Sequence, residues 1–151
     1  MYIEQYNMIL IPILVLIFTR FIKFIIFYFK HGRNFEYTLK HAMSYGHMPS
    51  VHTALMVSLV ASIGYYEGIA SGAFAIAVGL AVLIVDDATR LRVYMGNLGR
   101  YINMHSKELK IKDKKEYPRL KERMGHRASE VAVGGIIGLL LTIIFINLLS
   151  F

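Results

Sequence analysis

The chain has 151 residues, the length of one domain, with a net charge of +7 and no cysteine. The missing cysteine excludes disulfides, thiolate metal sites and cysteine nucleophiles. Apolar residues make up 56% of the chain and gather in long runs, which predicts a membrane protein.

The first apolar run extends over about residues 7–29, long enough to span a bilayer core that needs ~20 residues. Its start carries Glu4 and no Lys or Arg, unlike a cleaved signal. Arg20 and Lys23 interrupt it, and with Phe27 and Lys30 they recur at helical spacing, so the pattern puts them on one face. A cation inside a span is costly and usually has a task, so Lys23 is read as pointing into the bundle toward an anion. For Arg20 the same reading stands beside simple snorkelling to headgroups.

Residues 31–48 read as a polar loop with a short interfacial helix, since Phe35, Leu39 and Ala42 sit near helical spacing. His31, His41 and His47 form no recognisable ligand pattern. The loop runs into Tyr45-Gly46-His47-Met48-Pro49-Ser50-Val51-His52-Thr53-Ala54, the most informative stretch of the chain. Pro49 suits the first turn of a helix, Ser50 suits its cap, and the free amides with the positive end of the helix dipole suit an anion such as phosphate. His52 adds a titratable imidazole on that turn.

A second span is expected over about residues 50–66, with Ala54, Ser58, Ala61 and Ser62 as a small-residue packing face. Tyr65-Tyr66-Glu67-Gly68 marks a tight interfacial turn, and a third span follows over about residues 69–85. Asp86-Asp87-Ala88-Thr89-Arg90-Leu91-Arg92 closes it. The two carboxylates either ligate Mg²⁺ or pair with Arg90 or Arg92. The helix is expected to continue, because Leu91, Tyr94, Leu98 and Tyr101 repeat at helical intervals in an amphipathic stretch near the membrane surface. Residues 107–123 are strongly charged and read as a solvated arm.

The last span is expected over about residues 126–149. Gly134 and Gly138 form a GxxxG pair, which permits either packing within the chain or a homodimer. His126 and Glu130 are neighbours on one helix face, so the carboxylate can hold one ring nitrogen and leave the other free to attack or to carry a proton.

Four antiparallel crossings bring the inner end of the first span, the start of the second, the end of the third and the start of the fourth to one bilayer face. Lys23, His52, Arg90, Arg92, His126 and Glu130 therefore share a level. Two imidazoles, a carboxylate and several cations describe a phosphoryl-transfer site with no obligatory metal and no cofactor.

These stretches resemble a known family, the divergent branch of the type 2 phosphatidic acid phosphatase and vanadium haloperoxidase superfamily. That branch has a Lys in the first span, then G-G-M-P-S-S-H-S-A, D-A-x-G-V-R-R and L-G-H-x-P-x-E-V. Here the stretches are Lys23, then Gly46 to Ala54, Asp87-Ala88-Thr89-Arg90-Leu91-Arg92-Val93, and Met124-Gly125-His126-Arg127-Ala128-Ser129-Glu130-Val131. The order and approximate spacing agree over nearly the whole chain. His47, Val51, Arg90 and Val93 depart from the pattern, and the carboxylate is Glu where the wider superfamily usually has Asp.

The resemblance implies His126 as nucleophile, Glu130 as its orienting carboxylate and His52 as general acid. It implies Lys23, Ser50 and Arg92 as phosphate ligands; Arg20, Asp87 and Arg90 are secondary candidates beside them. The expected protein is thus an all-α integral membrane bundle, a single domain over residues 1–151, with about four transmembrane helices plus interfacial helices. Its expected function is metal-independent, vanadate-sensitive hydrolysis of a lipid phosphate or diphosphate through a phosphohistidine. The alternative is a non-catalytic lipid-phosphate-binding protein or scaffold. Partners are the lipid substrate and membrane lipids, not nucleic acid. All 17 Lys and Arg fall between Arg20 and Lys40 or between Arg90 and Arg127, which puts the basic loops and the site in the cytoplasm and both termini on the opposite side.

Overall fold

A computed structural model of the chain describes residues 2–30, 33, 35–42, 48–108, 119–122 and 124–149. The fold is an all-α membrane bundle. Helix α1 covers Tyr2–Lys30, α2 Phe35–Ala42, α3 Val51–Tyr66, α4 Gly72–Asp86, α5 Arg92–Glu108 and α6 Ala128–Leu149, with a π-helical turn at Asp87–Leu91 joining α4 to α5. His31, the Tyr45-Gly46-His47 stretch, most of the charged arm and Arg123 lie outside the described residues.

Three helical stretches among the described residues are long and apolar enough to cross a membrane: residues 6–30, 72–106 and 128–149. The fourth apolar helix, α3, has only 16 residues, about 24 Å at 1.5 Å per residue, less than the ~30 Å hydrocarbon core. It is nevertheless the centre of the bundle. It packs against α1, α4 and α6 and buries Val51, Thr53, Ala54, Met56, Ser58 and Ser62. Its first end meets protein, because the Ser50 amide donates to the Glu130 carbonyl at 3.1 Å. Backbone at membrane depth is tolerated where protein covers it.

Helices α3 and α6 run side by side in the same direction. Gly134 faces the Ser50 backbone, Gly138 faces the Ala54 backbone, and Thr142 Oγ1 donates to Ser58 Oγ at 2.7 Å. One residue per turn on each helix thus meets its counterpart. A Cβ on either glycine would run into α3 backbone, which cannot step aside as a flexible side chain can. The GxxxG pair is therefore used within the chain. Helix α1 runs opposite to α6, with Asn7 Nδ2 donating to the Leu149 carbonyl at one end and Lys23 close to Glu130 at the other. The apolar core between them contains Ile11, Val15, Ala54, Phe145 and Ile146.

Local signals explain the element ends. Ser50 caps α3, its Oγ accepting the Thr53 N–H at 3.4 Å, and Ser71 caps α4 by accepting the Phe74 N–H at 3.1 Å. Pro49 lies just before the cap rather than within the first turn. Gly68 has φ +85°, the left-handed geometry that lets the chain reverse between α3 and α4. The third span begins at Gly72, later than residue 69, because Ile69 and Ala70 belong to that reversal. Helix α2 forms as expected, with Phe35 edge-on to Phe24 and Tyr37 stacked on Phe27.

Candidate active site

The four expected cations of the basic face do not share one environment. Lys23 is buried on the inner side of α1, with Phe27 one turn on. Arg20 is exposed, so the face predicted to carry both is split between bundle and surroundings. Arg20 remains near enough to influence both Lys23 and His52. Arg90 is 80% exposed and pairs with Asp86 at 3.2 Å, an exposed i,i+4 pair of ~0.3–0.5 kcal/mol at most.

Arg92 is placed by the π turn. Its Nε lies 2.6 Å from Asp87 Oδ2. Residues five apart point in different directions on an α-helix, but a π turn bonds i to i+5 and brings them together. The Arg92 N–H accordingly reaches back to the Asp87 carbonyl. Of the two sequence readings of the acidic pair, the structure shows the ion pairs. Among the described residues, no three His, Asp or Glu side chains gather as a metal-binding group.

The π turn also holds the approach to α6. The Ala88 carbonyl accepts the His126 N–H at 3.0 Å. Gly125 stands at φ +89°, and a Cβ there would lie 2.9 Å from the Ala88 oxygen and from Val93. Only glycine gives both the left-handed turn and the close approach. His126 then presents Nδ1 to Glu130 Oε2 at 3.1 Å, with both side chains nearly buried, at 10% and 8% exposure. The same carboxylate oxygen accepts the Arg127 N–H at 3.2 Å. A carboxylate accepts, so Nδ1 carries the proton between them and Nε2 keeps its lone pair.

His52 occupies the first turn of α3, exposed, within electrostatic reach of Arg92, His126, Arg20 and Lys23. His126 in turn feels Glu130, Lys23 and Arg92. The structure thus brings Lys23, His52, Arg92, His126 and Glu130 together from α1, α3, the start of α5 and the approach to α6. Ser50 is fully buried, and its hydroxyl is 2.8 Å from Thr53 Oγ1. It meets the site through the helix terminus that it caps. Burial, foremost, depresses the His126 imidazole below the ordinary histidine value. The Glu130 hydrogen bond and charge raise it, and Lys23 and Arg92 lower it further.

A family model described as the divergent PAP2 family matches residues 5–141. The chain belongs to that family. It is also 32% identical over 112 residues to the uncharacterized membrane protein YuiD of Bacillus subtilis (strain 168), covering 67% of this chain and 71% of the relative. No solved structure matches. Membership of the divergent PAP2 family agrees with the resemblance carried by Lys23 and the three motifs.

Three features of this divergent PAP2 protein were not read from its sequence. One is the π turn. The second is the Ala88–His126 link. The third is a face of α5, where Gly96, Gly99 and Asn103 receive an extended strap that leads to His126. The third had a signal, since Gly-x-x-Gly-x-x-x-Asn keeps small and polar residues on one side of a helix.

Proposed function

We propose that the chain is a metal-independent lipid phosphatase that works through a phosphohistidine at His126. The observation that carries this reading is the His126–Glu130 pair beside Lys23, Arg92 and His52. It combines a ring nitrogen with a free lone pair, a carboxylate that fixes its tautomer, and cations for phosphate oxygens.

The reaction follows from these groups. The phosphate rests against Lys23, Arg92 and the start of α3, where the helix dipole is positive. An anion there also favours the charged form of His52. His126 Nε2 attacks phosphorus as the bond to the lipid oxygen breaks. His52 gives its proton to that oxygen, and the lipid leaves as an alcohol or, from a diphosphate, as a monophosphate. Neutral His52 then takes a proton from water, whose oxygen attacks phosphorus. The P–N bond breaks, inorganic phosphate departs, and His126 returns to its starting form. Glu130 stays hydrogen-bonded to Nδ1 and balances the positive charge on the ring. The position of the site at the ends of apolar helices suits a substrate whose tails remain in the bilayer.

Purified protein in vesicles, given a panel of lipid monophosphates and diphosphates, is expected to release inorganic phosphate in EDTA and to be inhibited by vanadate, a mimic of five-coordinate phosphorus. Binding of lipid phosphate without release favours the scaffold reading. Activity lost in EDTA and restored by Mg²⁺ contradicts the mechanism.

A further inference from the structure

Residues 119–122 and 124–125 form an extended strap that runs back along α5 toward the π turn. Its hydrogen bonds are concentrated on one side chain. Asn103, largely buried, donates through Nδ2 to the Leu120 carbonyl and to Glu122 Oε1, both at 2.9 Å, and accepts the Leu120 N–H through Oδ1 at 3.0 Å. An Asn amide has two donors and an acceptor, and here all three directions are engaged by the strap. The Glu122 carboxyl is held below the usual carboxylate range, chiefly by this Asn103 contact.

Closer to the site, the strap lies directly on helix backbone. A Cβ on Gly99 would sit 2.7 Å from the Lys121 carbonyl oxygen, and one on Gly96 would sit 2.9 Å from the Glu122 oxygen and 3.0 Å from the Met124 nitrogen. The strap ends in the Gly125 turn and the Ala88–His126 bond. Asn103, Gly99, Gly96 and Ala88 therefore mark successive contacts along one helical rod, and the last fixes the backbone of His126. Each position is unnecessary for making a helix. Gly is a poor helix former, by ~1 kcal/mol relative to Ala, yet α5 carries two on this face.

We propose that Asn103 is a positioning residue, which sets the distance and direction of the His126 ring by holding the strap against α5. The inference rests on the reading of His126 as nucleophile, but the geometry it describes can be tested without turnover. Asn103 touches no substrate. It acts through the strap, so its loss should loosen His126 while leaving Lys23 and Arg92 in place to bind phosphate.

Two measurements on the full-length protein in vesicles separate the cases. The first is site-resolved carbethoxylation with diethylpyrocarbonate, read by mass spectrometry. In the wild type, His126 should react more slowly than exposed His105. In Asn103→Ala, His126 should approach the reactivity of His105, and Gly99→Ala should do the same with Asn103 intact. The second is steady-state hydrolysis of a lipid phosphate. Asn103→Ala should lower kcat by roughly 10–10²-fold, the scale of a misplacement near 1 Å, with KM little changed. The double variant Asn103→Asp with Glu122→Gln reverses the donor and acceptor at the contact with residue 122 and keeps the acceptor for the Leu120 N–H, but removes the donor to the Leu120 carbonyl, so it should recover only part of kcat. His126 remaining protected in both single variants overturns the proposal. So does a rise in KM at constant kcat. A wild type that releases no phosphate refutes the catalytic reading, while the labelling result still decides whether Asn103 positions His126.

Discussion

The Ser50 amide donates to the Glu130 carbonyl at 3.1 Å, joining the cap of α3 to the α6 residue whose carboxylate meets the His126 ring. Below this bond, Gly134 and Gly138 keep α3 and α6 at backbone contact. Gly134→Ala must therefore move whole helices. It is expected to destabilise the bundle by about 1–3 kcal/mol, the usual range for overpacking. Ser58→Ala, which removes a single interhelical hydrogen bond to Thr142, should cost about 0.6 kcal/mol. Unfolding of both variants in mixed micelles checks the order, and Gly134→Ala should be the more damaging.

The His126 environment gives a pH dependence with a definite sign. Its imidazole is depressed mainly by burial, so the proposed nucleophile is unprotonated at neutral pH and is lost only below the ordinary histidine value of ~6.5. Glu130 opposes that depression. Glu130→Gln should move the acid limb of kcat/KM to still lower pH and reduce the plateau through loss of orientation. A limb displaced upward in Glu130→Gln would show that another group controls it.

The two histidines should differ in their response to the leaving group. Of the two, and among the described residues, it is His126 that has a carboxylate at hydrogen-bonding distance. His52→Ala is expected to slow lipid phosphate hydrolysis by roughly 10²–10⁴-fold, as for loss of a general acid. An aryl phosphate, whose leaving group needs no proton, should restore much of the rate to His52→Ala and little to His126→Ala. Equal rescue of the two variants would reverse or abolish the division of roles.

Much of the architecture was legible because lipid imposes simple rules. Long apolar runs announced α1 and α6, and the small residues Ala54, Ser58 and Gly134 announced which faces meet. Crossing direction then brought Lys23, His52, Arg92, His126 and Glu130 to one end. Other features left weaker traces. Asp87 and Arg92 are five residues apart, a spacing that a 3.6-residue period does not pair, so the π turn was invisible. The split between buried Lys23 and exposed Arg20 depends on which side of α1 meets α3, and three residues of spacing cannot decide it. The strap binds largely through its own backbone at Leu120, Lys121 and Glu122, so its readable trace lies on α5, in the spacing of Gly96, Gly99 and Asn103. Apolarity alone predicts a span for the short α3, whose first end is met by the Glu130 backbone.

Charge predicts an orientation. The basic loops flank the site end of the bundle, while the far end offers the Gly68–Ser71 turn without Lys or Arg. Positive charge near span ends is retained in the cytoplasm, so the site should face that side. The cysteine-free chain makes the test clean. In intact cells, a membrane-impermeant thiol reagent should label Ser71→Cys and spare Ser106→Cys until the membrane is permeabilised. The opposite pattern would assign the substrate to the outer leaflet.

His126 is proposed to take the phosphoryl group. That role is tested most directly by rapid quenching with a ³²P-labelled lipid phosphate under conditions that preserve phosphohistidine. The wild-type protein should carry an acid-labile, base-stable label at His126, which persists longer when His52 is replaced and is absent from His126→Ala. A wild type that releases phosphate without ever carrying the label on His126, or a His126→Ala protein that is labelled as before, would contradict it.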